Sequence, residues 1–479
     1  MIRYGPLLCI IILMISAALL MLTRREVKAH LVSGFVFLIC AVMTAAAYFE
    51  FHGLGYEQRF LYHFFSETSL SLILSFAFFS VNFLIIWFSS YAIDKYIEKT
   101  EVNLYFGMVL MLNAFVTTIL FSDDMRIIYV AYVFVILMSY KLIKIKNKVA
   151  VPYEKTKYIV LNLFGLLLLA SGLVMFYKLT GIASIRQMRH YLDYSQVNYM
   201  TLSLTLCVIG LGVGGALFPF YSWLPDLYAS TPAPLSAQLS SVTIKVAPII
   251  MMRIAYEGLG LIWFSNLKMD LVLIILGILS MLSGSAFAIL QRDIKKMLAY
   301  STIAQLGYIY LAIGLSNYWG IRIAIYQILA HLLTKSAVYL SVSSLYEQTG
   351  TTEIDELRGV GREMPATLCC FSLGALSMVG IPLLPGFITK WYLSLSAIAN
   401  GMVLPVVVIL ISSIFNAAYY LPIIINGFYG KGNLSGKVAF SKAKPLGEMI
   451  PLMILVTAMV LFGVFSNVYF SHNPVGYFY

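Results

Sequence analysis

The sequence interrupts its own apolar pattern twice, with GLGVGGALFPFYSWLPD at residues 210–226 and GIPLLPGFITKW at residues 380–391. Each stretch combines glycines, a proline in mid-segment and an aromatic residue a few positions later. A proline lacks the backbone N–H that a helix needs, and its ring clashes with the preceding turn. The pattern therefore predicts two broken helices, one at Pro219 and one at Pro382 and Pro385.

Around these stretches the chain is apolar almost throughout. Of its 479 residues, 61% are hydrophobic and only 11% are charged, and the mean hydropathy is +0.88. Apolar runs of roughly 17 to 25 residues, each long enough to cross a hydrocarbon core of about 30 Å, follow one another along the chain. This composition is far from that of a soluble globular domain. We predict an all-α, polytopic membrane protein with about fourteen transmembrane helices.

The two interruptions fall in predicted helices 7 and 12. Unwound backbone is tolerated at membrane depth only where protein or a wet cavity surrounds it, and two equivalent breaks indicate an internal repeat. We therefore predict two inverted five-helix repeats; two unrelated proline kinks are the alternative. The predicted segments are residues 1–101 with helices 1–3, residues 102–256 with helices 4–8, residues 257–427 with helices 9–13, and residues 428–479 with a cytoplasmic loop and helix 14.

Lysine and arginine are distributed unevenly between the predicted connections. Positive loops stay cytoplasmic, and the loops after odd-numbered helices hold most of the basic residues. These are Arg24, Arg25, Lys28, Lys141, Lys144, Lys146, Lys148, Lys155, Lys157, Arg292, Lys295, Lys296, Lys431, Lys437, Lys442 and Lys444. An even number of helices with the first loop on the cytoplasmic side places both termini on the outer side of the cell membrane. This topology and anionic lipid headgroups explain the net charge of +11, and no sequence feature indicates a nucleic-acid partner.

The five cysteines all lie in or beside apolar segments. They are Cys9, Cys40, Cys207, Cys369 and Cys370, and no Cys-x-x-Cys pair is present to hold zinc or an iron–sulfur cluster. We interpret them as small packing residues. The sequence therefore predicts no cofactor on this chain, and any redox chemistry connected with it belongs to another chain.

Four basic side chains fall inside predicted helices. Burying an ionisable group in hydrocarbon is costly, so such groups are functional candidates by default. Lys245 lies in helix 8, predicted over 235–256; His331 and Lys335 lie one turn apart on one face of helix 11; and Lys390 lies at the second break. Lysine and histidine can exchange protons, so groups of this kind linked by water form a relay. The alternatives are snorkelling or pairing with backbone carbonyls for the lone lysines, and a structural role for His331.

The connection before predicted helix 10 mixes both charge signs. It reads QRDIKK at residues 291–296, and a surface anchor is the role that this mixture favours.

Three stretches resemble a known family. Residues 218–226, residues 293–308 (DIKKMLAYSTIAQLGY) and residues 380–391 are similar to the antiporter-like subunits of respiratory complex I, of Mrp-type cation/proton antiporters and of membrane-bound hydrogenases. The resemblance covers predicted helices 3 to 13, and the helix count agrees with it. Within the family, Met364-Pro365 and residues 386–393 most resemble the membrane-bound hydrogenase and sulfane reductase branch.

The resemblance implies a proton relay. In the family it runs from a glutamate in helix 5 through lysines in helices 7 and 8 to a histidine and lysine in helix 11 and a lysine or glutamate in helix 12. Lys245, His331, Lys335 and Lys390 fall on matching positions. Val133 and Gly214 stand where the glutamate and its partner lysine are expected, and Tyr221 and Gln327 replace two common histidines. Removing both members of a buried ion pair is nearly neutral, so the first half-channel is expected to be degenerate.

These observations favour a subunit that translocates protons, or exchanges them for Na⁺, within a multi-subunit membrane-bound redox complex. The resemblance implies antiporter-like and small membrane subunits as partners, together with cytoplasmic-facing redox subunits that hold iron–sulfur clusters or a metal site. The chain itself is expected to perform no catalytic chemistry. The alternatives are a structural subunit that bridges active neighbours, a subunit of a stand-alone cation/proton antiporter, and an independent solute transporter.

Overall fold

The structure is a computed structural model that describes residues 5–23, 28–54, 59–60, 65–66, 68–145, 152–430 and 446–471. Its helices are α1 Gly5–Leu22, α2 Ala29–Leu54, α3 Ser69–Ala92, α4 Val102–Phe121, α5 Met125–Lys144, α6 Pro152–Thr180, α7 Ile185–Met188, α8 Val197–Gly214, α9 Leu224–Ser230, α10 Ala233–Ser241, α11 Val246–Met252, α12 Gly260–Asn266, α13 Met269–Ile289, α14 Ile294–Gly314, α15 Tyr318–Thr349, α16 Pro365–Val379, α17 Pro385–Ala399, α18 Val403–Tyr429, α19 Leu446–Val464 and α20 Ser466–Ser471. Two short antiparallel strands, β1 Arg59–Phe60 and β2 Phe65–Ser66, pair with each other.

The predicted all-α membrane fold is confirmed. Within the described ranges, 13 helical segments are long and apolar enough to cross a membrane, and α16 is a shorter apolar helix. Predicted helix 7 corresponds to α8 and α9, helix 8 to α10 through α12, helix 11 to α15, helix 12 to α16 and α17, and helix 13 to α18. The protein therefore passes through the membrane many times.

Helices 7 and 12 are broken, as predicted. The α-helical backbone stops at Gly214, and Pro219 lies in the non-helical connection that leads to a 3-10 turn at Phe220–Trp223. At the second break α16 ends at Val379 and α17 begins at Pro385. A proline suits the first position of a helix, because the N–H it lacks would have no helical partner there.

Predicted helix 8 is also irregular, which the sequence pattern did not indicate. After α10 the chain makes a 3-10 turn at Thr243–Lys245 and enters α11. Pro248 explains this, because it has no N–H to donate to the carbonyl of Ile244 and its ring crowds that turn. A π-helical segment, Arg253–Leu259, follows. The predicted span over 235–256 is therefore not one regular helix.

The described residues form two compact units. The first comprises Met1–Gly215 and Val242–Met269, and the second comprises Ala216–Ser241 and Asp270–His472. In the first unit α1 packs on α4, α2 on α3 and α6 on α8. In the second, α15 is the central helix and contacts α10, α14, α16, α17 and α19. The four segment boundaries and the inverted symmetry inferred from the sequence stay predictions.

The predicted orientation also stays a prediction. Half of the basic residues on which it depends lie outside the described residues: Arg24, Arg25, Lys146, Lys148, Lys431, Lys437, Lys442 and Lys444.

Candidate functional site

Lys335 lies at the centre of the second unit. It belongs to the long helix α15, and its side chain is fully buried. Its Nζ donates to the carbonyl oxygen of Leu298 at 2.8 Å and to Oγ of Ser301 at 3.0 Å, both on α14. The ring of Tyr339 lies 5.9 Å from the same nitrogen. The hydrogen-bond acceptors of this lysine are thus neutral, and none of these contacts is a carboxylate.

His331 precedes Lys335 by one helical turn and is also buried. Residues four apart on a helix share a face, so both side chains project to the same side of α15. One turn earlier still, Gln327 donates its amide to Oε1 of Gln305 on α14 at 2.8 Å. The α14–α15 interface is therefore lined with polar groups over several turns.

Lys390 lies in α17 and reaches back across the second break. Its Nζ donates to the carbonyl oxygens of Met378 at 2.9 Å and Val379 at 2.8 Å, the last two residues of α16. A helix carboxyl end has an excess of acceptors and a partial negative charge, so it stabilises an ammonium group. The ring of Tyr308 adds a cation–π contact at 5.4 Å from its centroid. These contacts match the carbonyl-pairing alternative, and a role in proton transfer stays a prediction.

Gly380 makes this arrangement possible. Its φ is +98°, a conformation that side-chain-bearing residues rarely adopt. A Cβ at this position would also lie 3.1 Å from Cδ and 3.2 Å from Nζ of Lys390. The glycine therefore lets the lysine pass directly over the broken backbone.

Lys245 is placed differently from the other three predicted relay residues. It is fully buried on the 3-10 turn between α10 and α11, in the first unit. His331, Lys335 and Lys390 all belong to the second unit.

Gly214 faces a tyrosine. A Cβ at position 214 would overlap the hydroxyl oxygen of Tyr132 on α5 and lie 3.4 Å from the amide oxygen of Asn162 on α6. Tyr132 is buried, whereas the neighbouring Val133 is only partly buried. The structure thus places Tyr132, rather than Val133, against the position where the family resemblance expects a lysine. The space for that side chain is occupied by neutral polar groups.

A polar face on α18 was not predicted from the sequence. It consists of Ser412, Asn416, Tyr419 and Tyr420, all buried, and we call it the α18 polar face. These residues recur every three to four positions in a mostly apolar span. That spacing, which puts them on one side of a helix, was the available signal.

The prediction of a surface anchor at residues 291–296 is wrong for Lys295. Its side chain is buried, and its Nζ donates to the carbonyl oxygens of Ala229 at 2.6 Å and Thr231 at 2.5 Å. These are at the carboxyl end of α9, where helical carbonyls lack intrahelical partners. Lys296, half-exposed, instead pairs with Asp226 at 2.9 Å. Lys295 therefore links the second part of broken helix 7 to the start of α14 by hydrogen bonds.

A buried ionic cluster in the first unit was also missed. Arg253 donates to Glu257 at 3.1 Å and to the carbonyl oxygen of Ile119 at 2.7 Å. Arg186 lies 3.7 Å from Glu257 and 4.0 Å from Asp123, which accepts a hydrogen bond from Ser184. Burial raises the pKa of Asp123, against the opposing effects of Ser184 and Arg186. The charges of two arginines and two carboxylates balance in this cluster. The four-residue spacing of Arg253 and Glu257 was the sequence signal that could have indicated an ion pair.

The described ranges hold no group of three or more His, Cys, Asp or Glu side chains arranged for a metal ion. The five cysteines are free thiols; Cys369 is exposed and the other four are buried.

Comparison with known proteins finds similar chains in several membrane complexes. The family described as NADH:quinone oxidoreductase/Mrp antiporter, TM matches residues 122–416. NADH-quinone oxidoreductase subunit N of Desulforudis audaxviator (strain MP104C) is 29% identical over 385 residues, which cover 77% of this chain and 75% of the relative. A Na⁺/H⁺ antiporter subunit of Alkalihalophilus pseudofirmus (strain ATCC BAA-2126 / JCM 17055 / OF4) is 26% identical over 386 residues, covering 80% and 77% respectively.

A solved structure has the same fold. A chain of the membrane-bound sulfane sulfur reductase, an archaeal respiratory membrane complex, aligns with a TM-score of 0.83 at 22% identity. The alignment covers 98% of this chain and 95% of that chain.

Proposed function

Because this chain belongs to the NADH:quinone oxidoreductase/Mrp antiporter transmembrane family, we propose that it is an antiporter-like subunit that translocates protons, or exchanges them for Na⁺, within a larger membrane-bound redox complex. The family resemblance of the sequence motifs is thereby confirmed. The relatives include an oxidoreductase subunit and a Na⁺/H⁺ antiporter subunit, which is consistent with a transport role in either setting.

One observation supports transport most directly: two fully or nearly buried lysines in the second unit have, among the described residues, only neutral hydrogen-bond acceptors. Lys335 is 0% exposed and Lys390 7% exposed, and their acceptors are backbone carbonyls and one serine hydroxyl. A charged group held in this way is costly, and a proton can leave it without breaking an ion pair. We assign proton transfer to His331, Lys335 and Lys390, with Lys245 as the corresponding group of the first unit.

The residues of the first unit favour reduced proton transfer through its own half-channel. Position 214 is a glycine, so the lysine that the resemblance expects there to accept a proton is absent. Tyr132 and Asn162 lie against the space that its side chain would need. This feature also favours the alternative of a bridging subunit, which would join active neighbours without transport of its own.

The proposal includes partners. We expect further antiporter-like and small membrane subunits, and cytoplasmic-facing subunits that hold iron–sulfur clusters or another metal site. The motif at residues 386–393 favours the hydrogenase and sulfane reductase branch. A subunit of a stand-alone cation/proton antiporter is the alternative assembly.

The test is ion uptake into proteoliposomes that contain the purified complex, driven by its own electron donor. Lys335→Ala and Lys390→Ala should each lower the ratio of ions taken up to electrons transferred while electron transfer continues, because the hydrogen-bond acceptors of both lysines are carbonyls and a serine, which cannot replace the lost amine. Lys178→Ala, at the exposed end of α6, is the matched control and should pump normally.

All complexes are compared at equal assembly, measured by subunit composition after purification. If both buried-lysine variants keep the wild-type ratio of ions to electrons, transport by this chain is excluded and the bridging role becomes the better assignment.

A further inference from the structure

The α18 polar face lies between the two buried lysines of the second unit. Helix α18 exposes apolar side chains on one side, among them Val403, Leu410 and Ile414. Its buried side includes the polar residues Ser412, Asn416, Tyr419 and Tyr420. Buried polar groups need hydrogen-bond partners, so the contacts of this face show what it connects.

At one end the face contacts the serine that binds Lys335. The hydroxyls of Tyr420 and Ser301 are 2.9 Å apart, and Ser301 accepts from Lys335 Nζ at 3.0 Å. The ring of Tyr419 packs on that of Tyr420, with centroids 4.6 Å apart. A lysine ammonium is thus joined to a tyrosine hydroxyl through a single serine.

At the other end the face contacts the carbonyl that binds Lys390. The hydroxyl of Tyr419 donates to Oδ1 of Asn416 at 2.8 Å, and Nδ2 of Asn416 donates to the carbonyl oxygen of Met378 at 3.0 Å. Lys390 donates to that same carbonyl at 2.9 Å. Ser285 on α13 adds a hydroxyl, 2.8 Å from Ser412 and 3.2 Å from Oδ1 of Asn416.

Within these contacts only hydroxyls can both take up and release a proton. Serine and tyrosine hydroxyls are donors and acceptors at once, whereas an amide or a backbone carbonyl passes no proton under ordinary conditions. Of these hydroxyls, those of Ser301 and Tyr420 are in direct contact, and that of Tyr419, on the adjacent ring, is the next one toward Asn416. Asn416 and the Met378 carbonyl provide hydrogen-bond partners for water on the remaining path to Lys390.

We propose that Ser301, Tyr420 and Tyr419 carry protons between Lys335 and Lys390, an inference that rests on the transport function proposed above. The Lys335 ammonium gives its proton to Ser301, whose own hydroxyl proton passes to the tyrosines. A tyrosine hydroxyl proton then passes through water to the neutral amine of Lys390. Each hydroxyl ends with one proton, Lys335 becomes neutral and Lys390 becomes charged. Helix α18 thereby contributes proton-carrying groups to the relay in addition to packing against it.

The test uses the whole purified complex with Tyr419→Phe, Tyr420→Phe and the double variant, which keep both rings and remove only oxygen atoms. The part of the initial rate of donor-driven proton uptake that is lost with Lys335→Ala should fall at least about tenfold in the double variant, as expected when positioned proton-transfer groups are lost. Ser301→Ala should have the same effect, and Ser301→Thr, which keeps a hydroxyl, should restore uptake.

Tyr326→Phe is the matched control. This tyrosine is buried in α15 and donates to the carbonyl of Phe462 at 3.2 Å, so its loss also removes one buried hydrogen bond. It should pump at the wild-type rate. If the double tyrosine variant pumps normally while Lys335→Ala and Lys390→Ala do not, the α18 route is wrong and the transport function stands. If the lysine variants also pump normally, the transport function itself fails.

Discussion

Position 214 shows at the scale of one residue how the first unit differs from the expected relay. The missing side chain leaves room for the hydroxyl of Tyr132, which a Cβ at this position would overlap. We predict that Gly214→Ala destabilises the protein by about 1 to 3 kcal/mol, because a well-packed core resists added atoms. Thermal unfolding of the purified complex measures this loss.

The rescue variant makes this prediction specific. Tyr132→Phe removes the overlapping oxygen and leaves Cζ, 3.2 Å away, as the nearest ring atom. Combined with Gly214→Ala, it should recover most of the lost stability. An alanine at position 214 that is tolerated with Tyr132 unchanged would contradict the geometry.

A carboxylate at Val133 should not restore transport. Val133→Glu would place a charge on a partly buried face, with no lysine at Gly214 to pair with it. In a complex that also carries Lys335→Ala, ion uptake should therefore stay as low as with Lys335→Ala alone. Recovery of uptake in proteoliposomes would show that the first half-channel conducts.

The sequence predicted which ionisable residues are buried better than it predicted their contacts. Lys335 and Lys390 could be singled out because a charge inside an apolar span is costly. Their acceptors could not, since these are backbone carbonyls and a serine from other helices. Tyr132 and the α18 polar face were missed for a similar reason, because tyrosine, serine and asparagine are unremarkable in a membrane helix until their neighbours are known.

Two adjacent lysines allow a test at the scale of one helix. Lys295 caps the carboxyl end of α9, so Lys295→Met leaves the carbonyls of Ala229 and Thr231 without this donor. We expect a stability loss of about 1 to 3 kcal/mol, the usual cost of unsatisfied buried polar groups. Lys296→Met removes only a half-exposed ion pair with Asp226 and should cost less than about 1 kcal/mol. Thermal unfolding of both variants gives the comparison, and equal losses would rule out the capping role.

The ionic cluster of the first unit gives a further prediction for α11 and the π-helical segment after it. Arg253→Met or Glu257→Leu alone leaves one unbalanced buried charge and should destabilise by about 3 to 5 kcal/mol. The double variant leaves Arg186 and Asp123 as a neutral pair and should regain most of this loss. A double variant less stable than either single variant, measured by thermal unfolding, would argue against charge balance as the reason.

Among the elements, the breaks of helices 7 and 12 could be predicted and the break of helix 8 could not. Glycine and proline occur together at residues 210–226 and 380–391, so the interruption is visible in the composition. Near Lys245 only Pro248 signals a break, and a single proline is also compatible with a kinked but continuous helix. The start of α14 was misjudged because a mixed-charge sequence does not show that Lys295 points inward.

The whole molecule should depend on another chain for complete transport. With Tyr132, Val133 and Gly214 in place of an ion pair, we predict that the complex contains at least one further antiporter-like chain that keeps the glutamate and lysine. Sequencing every subunit of the purified complex tests this. A complex that pumps with this chain as its sole antiporter-like component would refute the prediction.

The contact between Gly214 and Tyr132 also constrains how this protein can change over evolutionary time. A lysine at position 214 has no space while Tyr132 is present, so that substitution cannot come first. Tyr132 must become smaller beforehand, and a carboxylate is then needed to balance the new charge. The intermediate steps gain nothing until all are in place. The contact therefore makes an ion pair at these positions harder to gain than to lose.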